Sequence, residues 1–194
     1  MKVILPLEGK WYVVRGGYDE KDSHSWEMIS QRYAFDLVKL SGNGKIYREN
    51  LCLNENYYSF GQKVISPCNG EVIDLYSHLK DNEPFTIRKI SYFFPLGNFV
   101  TIKYDNNTYV TLAHLKENSI SVRKGEKVKA KDVIGCVGNS GHSSYPHLHF
   151  QIQNKKRIFF SRGLPIYFFN TVIYFNNVPI CSERIYKNMI VESY

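Results

Sequence analysis

The sequence lacks any apolar run that approaches the roughly 20 consecutive residues needed to span a bilayer. Its N-terminus is interrupted by Pro6 and Glu8 and has no small-residue cleavage site, so we expect no signal peptide there. We therefore predict no transmembrane segment. The location stays unknown, and the sequence is compatible with a cytoplasmic chain or one released by a non-classical route.

Cysteine is also scarce, and its spacing carries no pattern. No C-x-x-C pair occurs among the four residues, which argues against a zinc knuckle and against a disulfide framework. We expect isolated buried thiols, because free cysteine packs as a small hydrophobe. The four are Cys52, Cys68, Cys136 and Cys181.

Acidic residues are outnumbered, with 18 Asp and Glu against 25 Lys and Arg, which gives a net charge of +7 and a pI near 9.1. Such a balance favours an anionic partner. The basic residues are spread along the chain and no nucleic-acid motif appears, so we predict no nucleic-acid partner. An anionic polymer of the bacterial wall is the better candidate.

Short alternating segments separated by Gly, Asn, Asp and Pro dominate the chain, whereas helical periodicity is rare. These segments predict strands, and the turn-forming residues 105–108 predict a hairpin between the last two of them. The fold class is therefore mainly β and antiparallel, with little helix. The predicted strands are Lys10–Val14, Tyr33–Val38, Gly70–Leu75, Phe99–Tyr104 and Tyr109–His114.

The most informative stretch is His147-Leu148-His149, which follows a glycine-rich run and opens the alternating segment 150–153. Residues two apart on a strand point the same way, so the two imidazoles project from one face about 6.6–7 Å apart. Pro146 lacks an N–H and suits the first residue of a strand. The pair is compatible either with a metal site or with two surface histidines on an edge strand.

The order of several motifs is more specific than any one of them. Residues 31–36 read Q-R-Y-A-F-D, residues 112–115 read L-A-H-L, residues 134–141 read I-G-C-V-G-N-S-G, and residues 146–150 read P-H-L-H-F. In this order they resemble the lysostaphin-type zinc endopeptidases, which cleave peptidoglycan. The resemblance covers about 31–153.

The resemblance implies a sandwich- or barrel-like hybrid fold of antiparallel β-sheet. We expect a single peptidase-like domain over 1–194, with its core at about 31–153 and an N-terminal strand and loop at 1–30. Within 154–194, the aromatic runs 158–160, 165–169 and 172–175 are predicted to be added C-terminal strands, since a separate wall-binding domain would need more residues.

The family holds Zn²⁺ with the His and Asp of H-x-x-x-D and the second His of H-x-H. The resemblance assigns Asp36 and His149 to this role, but Arg32 occupies the first position, and a guanidinium cannot ligate zinc. Since catalytic zinc normally has three protein ligands, another residue must supply the third or the site is inactive.

The candidates for the third ligand are His24, His78 and His142. A similar G-G…H…Q-R-Y-A-x-D arrangement in related sequences favours His24. Otherwise His24 is a loop histidine and Arg32 pairs with a carboxylate.

The resemblance also implies catalytic roles. His147 would take or relay a proton from metal-bound water, and His114 would donate a hydrogen bond to the oxyanion. Tyr145 and His142, in the glycine-rich loop, are candidate substrate-binding residues at the rim.

We therefore predict a zinc metalloendopeptidase that cleaves a peptide bond in peptidoglycan cross-bridges or stem peptides. One alternative is a degenerate member that binds wall or protein without catalysis, which Arg32 favours unless His24 compensates. Another is a processing peptidase for a small secreted peptide.

Overall fold

A computed structural model describes residues 1–193. Within them the chain forms fourteen strands and four short 3₁₀ turns, and it forms no α-helix. The turns are Ile29–Gln31, Asn54–Asn56, Lys89–Tyr92 and Ile158–Phe160. The strands are β1 (Lys2–Val3), β2 (Gly9–Arg15), β3 (Phe35–Val38), β4 (Lys63–Ile65), β5 (Gly70–Tyr76), β6 (Asn98–Asp105), β7 (Thr108–Leu115), β8 (Lys127–Val128), β9 (Val133–Cys136), β10 (Leu148–Gln153), β11 (Tyr167–Phe168), β12 (Thr171–Phe175), β13 (Val178–Ile180) and β14 (Ile190–Ser193).

One large antiparallel sheet dominates the structure and confirms the predicted fold class. Its ten strands lie in the order β13-β12-β14-β2-β3-β10-β7-β6-β5-β8. Two small sheets, β1-β11 and β4-β9, accompany it. All five predicted strands are present, and β6 and β7 form the predicted hairpin. Strand β3 is shorter than predicted, because Arg32 and Tyr33 lie in a turn and the strand begins only at Phe35.

Strand β10 lies near the middle of this sheet, between β3 and β7, and each of its residues is buried. Phe150 and Ile152 belong to the hydrophobic core. The alternate residues, His149, Gln151 and Gln153, are polar and lie on the opposite face. β10 is thus a central strand that is paired on both sides and buried on both faces. The interpretation of two surface histidines on an edge strand is therefore wrong.

The C-terminal residues extend the large sheet, since β14 pairs with β2 and β12 pairs with β14. One predicted strand of this region is wrong. Residues 158–160 form a 3₁₀ turn, in which the Phe160 N–H donates to Arg157 O at 3.1 Å and the Ser161 N–H donates to Ile158 O at 3.1 Å. Ile158 is buried there, whereas Phe159 and Phe160 are exposed.

The four cysteines are free, but only Cys68 is fully buried as expected, and burial raises its pKa to about 12. Cys52 and Cys181 are exposed, and Cys136 is partly buried. Over residues 1–193 no helix has the length and apolar character needed to cross a membrane.

Two loops that border the centre of the sheet touch backbone to backbone at Gly97 and Gly141. A Cβ atom on Gly141 would lie 2.2 Å from Gly97 N, so no side chain fits. Both residues have positive φ, +63° and +77°, which glycine adopts readily. Ser140, next to Gly141, accepts a hydrogen bond from the Asn98 N–H through Oγ at 2.9 Å. This contact fixes the glycine-rich loop against the start of β6.

We predict that Gly141→Ala destabilises the protein more than Gly44→Ala does. Both residues have nearly equal φ, +77° and +78°, but nothing lies within 4 Å of a Cβ on Gly44. Both variants carry a left-handed backbone cost of about 1–2 kcal/mol, and Gly141→Ala adds roughly 1–3 kcal/mol of overpacking. Chemical denaturation measures the difference. Equal free energies of unfolding would contradict the tight contact.

Candidate metal centre

The pairing of β10 with its two neighbours brings the candidate residues together. His149 lies opposite Asp36 of β3 on one side and opposite Ala113 of β7 on the other. His114 follows Ala113, and His147 directly precedes β10. Three adjacent strands thus place one carboxylate and three histidines at one end of the sheet.

His24, Asp36 and His149 form the tightest cluster. Asp36 Oδ2 lies 3.1 Å from His24 Nε2, and Asp36 Oδ1 lies 3.0 Å from His149 Nδ1. One ligand atom from each of the three residues lies within 4.8 Å of the other two. Asp36 and His149 are buried and His24 is partly buried. The three side chains are therefore close enough to share one metal ion.

The loop before β3 brings His24 to this cluster and is tied to itself at several points. The Gly16 N–H donates to Asp22 O at 3.0 Å, and Ser23 Oγ donates to Arg32 O at 2.7 Å. Arg32 Nε donates to Trp26 O at 2.7 Å, and its guanidinium lies 4.8 Å from the centre of the Trp26 ring. Arg32 forms no ion pair within residues 1–193. The interpretation that Arg32 pairs with a carboxylate is wrong.

His147 lies beside the cluster with one ring nitrogen occupied. Its Nδ1 lies 2.9 Å from Tyr145 O and 3.2 Å from Ser143 Oγ. Because a carbonyl oxygen only accepts, Nδ1 carries the proton in the neutral ring. Nε2 therefore has the lone pair, and it lies 3.6 Å from Asp36 Oδ1.

His114 faces the same space from β7. Its backbone has a positive φ of 58°, a conformation uncommon outside glycine that is found at functional sites. Nδ1 donates to Ser140 O at 2.8 Å, so Nε2 again carries the lone pair in the neutral ring. The ring centre lies 4.8 Å from that of His147 and 5.7 Å from that of His149.

The electrostatics of the cluster depend on Asp36. Burial alone would raise its pKa, but the charges of His24 and His147 and the hydrogen bond from His149 hold this pKa well below the usual range. Burial alone would likewise lower the pKa of His149, and the hydrogen bond and charge of Asp36 leave it raised. Burial lowers the pKa of His147 and lowers that of His114 further. Both shifts favour the neutral form of these two histidines, in which Nε2 carries no proton.

A cleft of about 470 Å³ lies over these residues, and five of the six histidines line it. Tyr145 lies on its wall, with its ring centre 5.9 Å from that of His147 and stacked on Tyr57. Burial raises the pKa of the Tyr145 phenol.

His142 is exposed at the rim of the cleft, beside Tyr92. His78 is absent from the cleft lining and contacts Asn118 through Nδ1, so it is not a candidate third ligand.

Sequence reasoning missed Gln151, whose Oε1 lies 2.9 Å from His149 Nε2. The signal was present, because residues 149 and 151 share one face of a strand. An amide oxygen and a carboxylate only accept, so Nε2 of His149 donates to Gln151 and Nδ1 donates to Asp36, and the proton on Nδ1 is the one that a metal ion would replace.

The donor set fits a divalent metal ion. His149 Nδ1 faces the carboxylate of Asp36 at 3.0 Å, and a cation that replaced the proton between them would be stabilised by both groups. Two imidazoles and one carboxylate are a donor set that catalytic zinc sites use, with a further position left for water. His147 and His114 lie beside the three ligand candidates.

Part of the chain is similar in sequence to known proteins. An uncharacterized metalloprotease of Buchnera aphidicola subsp. Baizongia pistaciae is 42% identical over 69 residues, which cover 35% of this chain and 18% of that protein. The peptidoglycan DD-endopeptidase ShyA of Vibrio cholerae is 34% identical over 93 residues, 48% of this chain and 18% of that protein. These matches span less than a fifth of both relatives.

Among solved structures, pseudoalterin, an M23 metalloprotease from the deep sea, shares the fold with a TM-score of 0.52. Its sequence identity is 15% over 96% of this chain and 99% of that one. Residues 55–159 match the model of Peptidase family M23. This span contains His114, His147 and His149, and it begins after His24 and Asp36. Because it covers more than half of the chain, the protein belongs to peptidase family M23, the lysostaphin-type peptidases.

Proposed function

We propose that the protein is a zinc-dependent endopeptidase that hydrolyses a peptide bond in bacterial peptidoglycan. The observation that carries this proposal is the position of His24, whose Nε2 lies 3.1 Å from Asp36. It supplies a third donor beside Asp36 and His149, although Arg32 occupies the position of the usual ligand. A degenerate member would have no need for this compensation.

His24, Asp36 and His149 would hold the zinc ion, which, when bound, lowers the pKa of a water molecule and polarises the scissile carbonyl. Asp36 contributes one negative charge and the two histidines contribute neutral lone pairs. The partly buried position of the cluster limits competition by bulk water.

His147 and His114 would move protons. Each has Nδ1 held by a carbonyl oxygen and a free Nε2, so each can accept a proton from the attacking water. The predicted role of His114, donation to the oxyanion, requires that its Nε2 first gain a proton, since the neutral ring only accepts there. Either histidine becomes a donor after it takes that proton, and it is then placed to protonate the leaving amine.

Two observations support peptidoglycan as the substrate. The relative ShyA is named as a peptidoglycan DD-endopeptidase, and the net charge of +7 favours an anionic polymer. Tyr145 and His142 line the cleft and would contact the peptide. A peptide with apolar residues is a second candidate, because the exposed Met28 and Phe159 also line the cleft.

We expect one zinc ion per chain and its loss in each ligand variant. His24→Ala, Asp36→Ala and His149→Ala should each weaken zinc binding by more than the roughly 10–100-fold that removal of an outer-shell partner costs. Competition with a chelator measures the dissociation constants. His78→Ala is the matched control, since its ring lies outside the cleft. Undiminished zinc affinity in His24→Ala would exclude His24 as the third ligand.

Variants of the two proton-transfer histidines should differ from the ligand variants in that they keep zinc but lose activity. His147→Ala and His114→Ala should each keep zinc and lose on the order of 10²–10⁴ in hydrolysis rate, because a general base or acid is removed. Metal content and rate are measured on the same samples, again with His78→Ala as the control. A variant that loses zinc as completely as His149→Ala would have to be reassigned as a ligand.

Purified sacculi test the substrate. Wild-type protein should release new amino termini from them in a zinc-dependent manner, and His147→Ala should not. Fluorogenic peptides with apolar residues form the second arm. Cleavage of these peptides alone would favour the second candidate, and binding to sacculi without release in either arm would favour the non-catalytic alternative.

A further inference from the structure

Two short segments of the chain share one composition, in which basic residues precede aromatic ones. Residues 88–94 read R-K-I-S-Y-F-F, and residues 155–162 read K-K-R-I-F-F-S-R. Together they carry six of the 25 basic residues and none of the 18 acidic residues. Cations beside aromatic rings are the combination that proteins place where water meets lipid.

The fold brings the two segments together, although five strands, β6 to β10, separate them in sequence. Phe93 and Phe94 of the first segment and Phe159 and Phe160 of the second line one hollow of about 250 Å³. Arg157 lines the same hollow. Residues 88–94 and 155–162 therefore form one surface, which we call the basic–aromatic face.

The aromatic rings of this face are unusually exposed. Tyr92, Phe93, Phe159 and Phe160 are between 64% and 81% exposed. Contiguous apolar surface of this kind marks a site of interaction with a partner or a membrane. The six basic residues of the face are exposed as well: Arg88, Lys89, Lys155, Lys156, Arg157 and Arg162.

Both groups of aromatic residues are held outward by 3₁₀ turns that are anchored to the protein. In the first turn Ser91 is buried, and its Oγ donates to Asn82 Oδ1 at 3.2 Å. In the second turn Ile158 is buried, and its carbonyl accepts a hydrogen bond from Ser161 Oγ at 2.7 Å. Each turn buries one residue and leaves its aromatic neighbours in solvent, so their exposure is a property of the fold.

Most cations of the face have no ionic partner. Within residues 1–193 only Lys156 among the six forms an ion pair, with Asp74 at 3.7 Å. Glu27 lies at the margin of the face, in a hollow that Phe160 and Arg162 also line, and it forms no ion pair there. The face thus has an excess of positive charge, which an anionic surface would compensate.

We propose that the basic–aromatic face binds the surface of an anionic lipid bilayer. The aromatic rings enter the boundary between headgroups and acyl chains, and the cations pair with lipid phosphates. Both halves of the interaction are favourable, because apolar rings leave water and cations approach a negative surface. The binding requires neither zinc nor hydrolysis.

Two other occupants fit the face less well. A second copy of the chain in a two-fold dimer would bring the same patch of both copies together, so that cations would face cations, which is unfavourable. A polar wall polymer offers anionic groups to the cations but no apolar phase that would cover Phe93 and Phe160.

Binding at this face would also orient the cleft. Phe159 lines both the hollow of the face and the cleft over His149, and Tyr92 lies beside His142 at the rim of the cleft. A bilayer bound here lies next to the mouth of the cleft. Under the proposed function, the bond that is cleaved would then lie close to a membrane surface.

Vesicle flotation tests the apolar half of the inference. Wild-type protein should float with vesicles of phosphatidylcholine and phosphatidylglycerol in equal parts, and far less with phosphatidylcholine alone. The double variant Phe93→Ser, Phe160→Ser should bind the mixed vesicles on the order of 100-fold more weakly. Tyr104→Ser with Phe175→Ser is the matched control, since these two rings are about half exposed outside the face, and it should bind as wild type does.

The same assay tests the charged half. Lys155→Gln with Arg157→Gln should weaken binding to the mixed vesicles about 10–30-fold, and added salt should weaken wild-type binding further. Lys45→Gln with Lys187→Gln makes the same change in net charge outside the face and should alter binding by less than the first pair does. Equal losses in the two pairs would show an effect of net charge alone and would overturn the inference.

Insertion is measured separately with Phe93→Trp and lipids brominated in their acyl chains. The bromine atoms should quench the emission of the new ring in bound protein, beyond the background of Trp11 and Trp26 that wild type gives with the same vesicles. Bound protein whose added emission is not quenched would overturn the insertion of the aromatic rings.

The other occupants give different results. Wild-type protein that binds purified sacculi but neither kind of vesicle would overturn the inference and assign the face to a wall polymer. A dimer in sedimentation that Phe93→Ser with Phe160→Ser converts to monomer, without vesicle binding by wild type, would assign the face to a second copy. Removal of zinc with a chelator should leave flotation unchanged, so the peptidase proposal and this inference succeed or fail separately.

Discussion

The buried carboxylate of Asp36 is the constraint on which the rest of the site depends. A charge removed from water is costly unless it is paired and hydrogen-bonded. Both oxygens of Asp36 contact imidazole nitrogens, His149 Nδ1 at 3.0 Å and His24 Nε2 at 3.1 Å. His147 adds a third imidazole at 3.6 Å. The charge of Asp36 is thus surrounded by imidazoles, which are common ligands of divalent cations, and a metal ion would compensate this charge more completely than hydrogen bonds from the rings do.

The residues on strands were the most predictable part of the site. A period of two places His149 and Gln151 on one face, and motif order identified Asp36 and His114. Sequence does not give the register between strands that are far apart along the chain. The structure supplies it: β10 pairs with β3, which sets His149 opposite Asp36, and with β7, which sets it beside His114. The ten-stranded order also depends on such distant pairings.

Side-chain direction was the least predictable part. The two-residue repeat of a strand predicted that His147 and His149 share one face. His147 instead lies before the first residue of β10, and its hydrogen bond to the Tyr145 carbonyl sets the orientation of its ring. His114 Nδ1 is held by Ser140 O, 26 residues away, and Gln151 by Ser30 O, 121 residues away. These partners meet only after the loops fold, so no local pattern contains them. They nevertheless decide which ring nitrogens are free, and hence which residues can act as bases.

The proposed third ligand, His24, lies on a loop, whereas the ligand position that Arg32 occupies lies shortly before strand β3. A loop residue is normally less fixed than a strand residue, and ordering it has an entropic cost. Here the loop is restrained by hydrogen bonds of its own, and Arg32 supplies two contacts to Trp26, one through its guanidinium face and one through Nε. The residue at the usual ligand position therefore restrains the loop that carries the proposed replacement. Since this loop meets the sheet at Asp36, metal binding and the order of residues 16–32 would be thermodynamically linked, and the ion would tie the N-terminal part of the chain to the part that the family match covers.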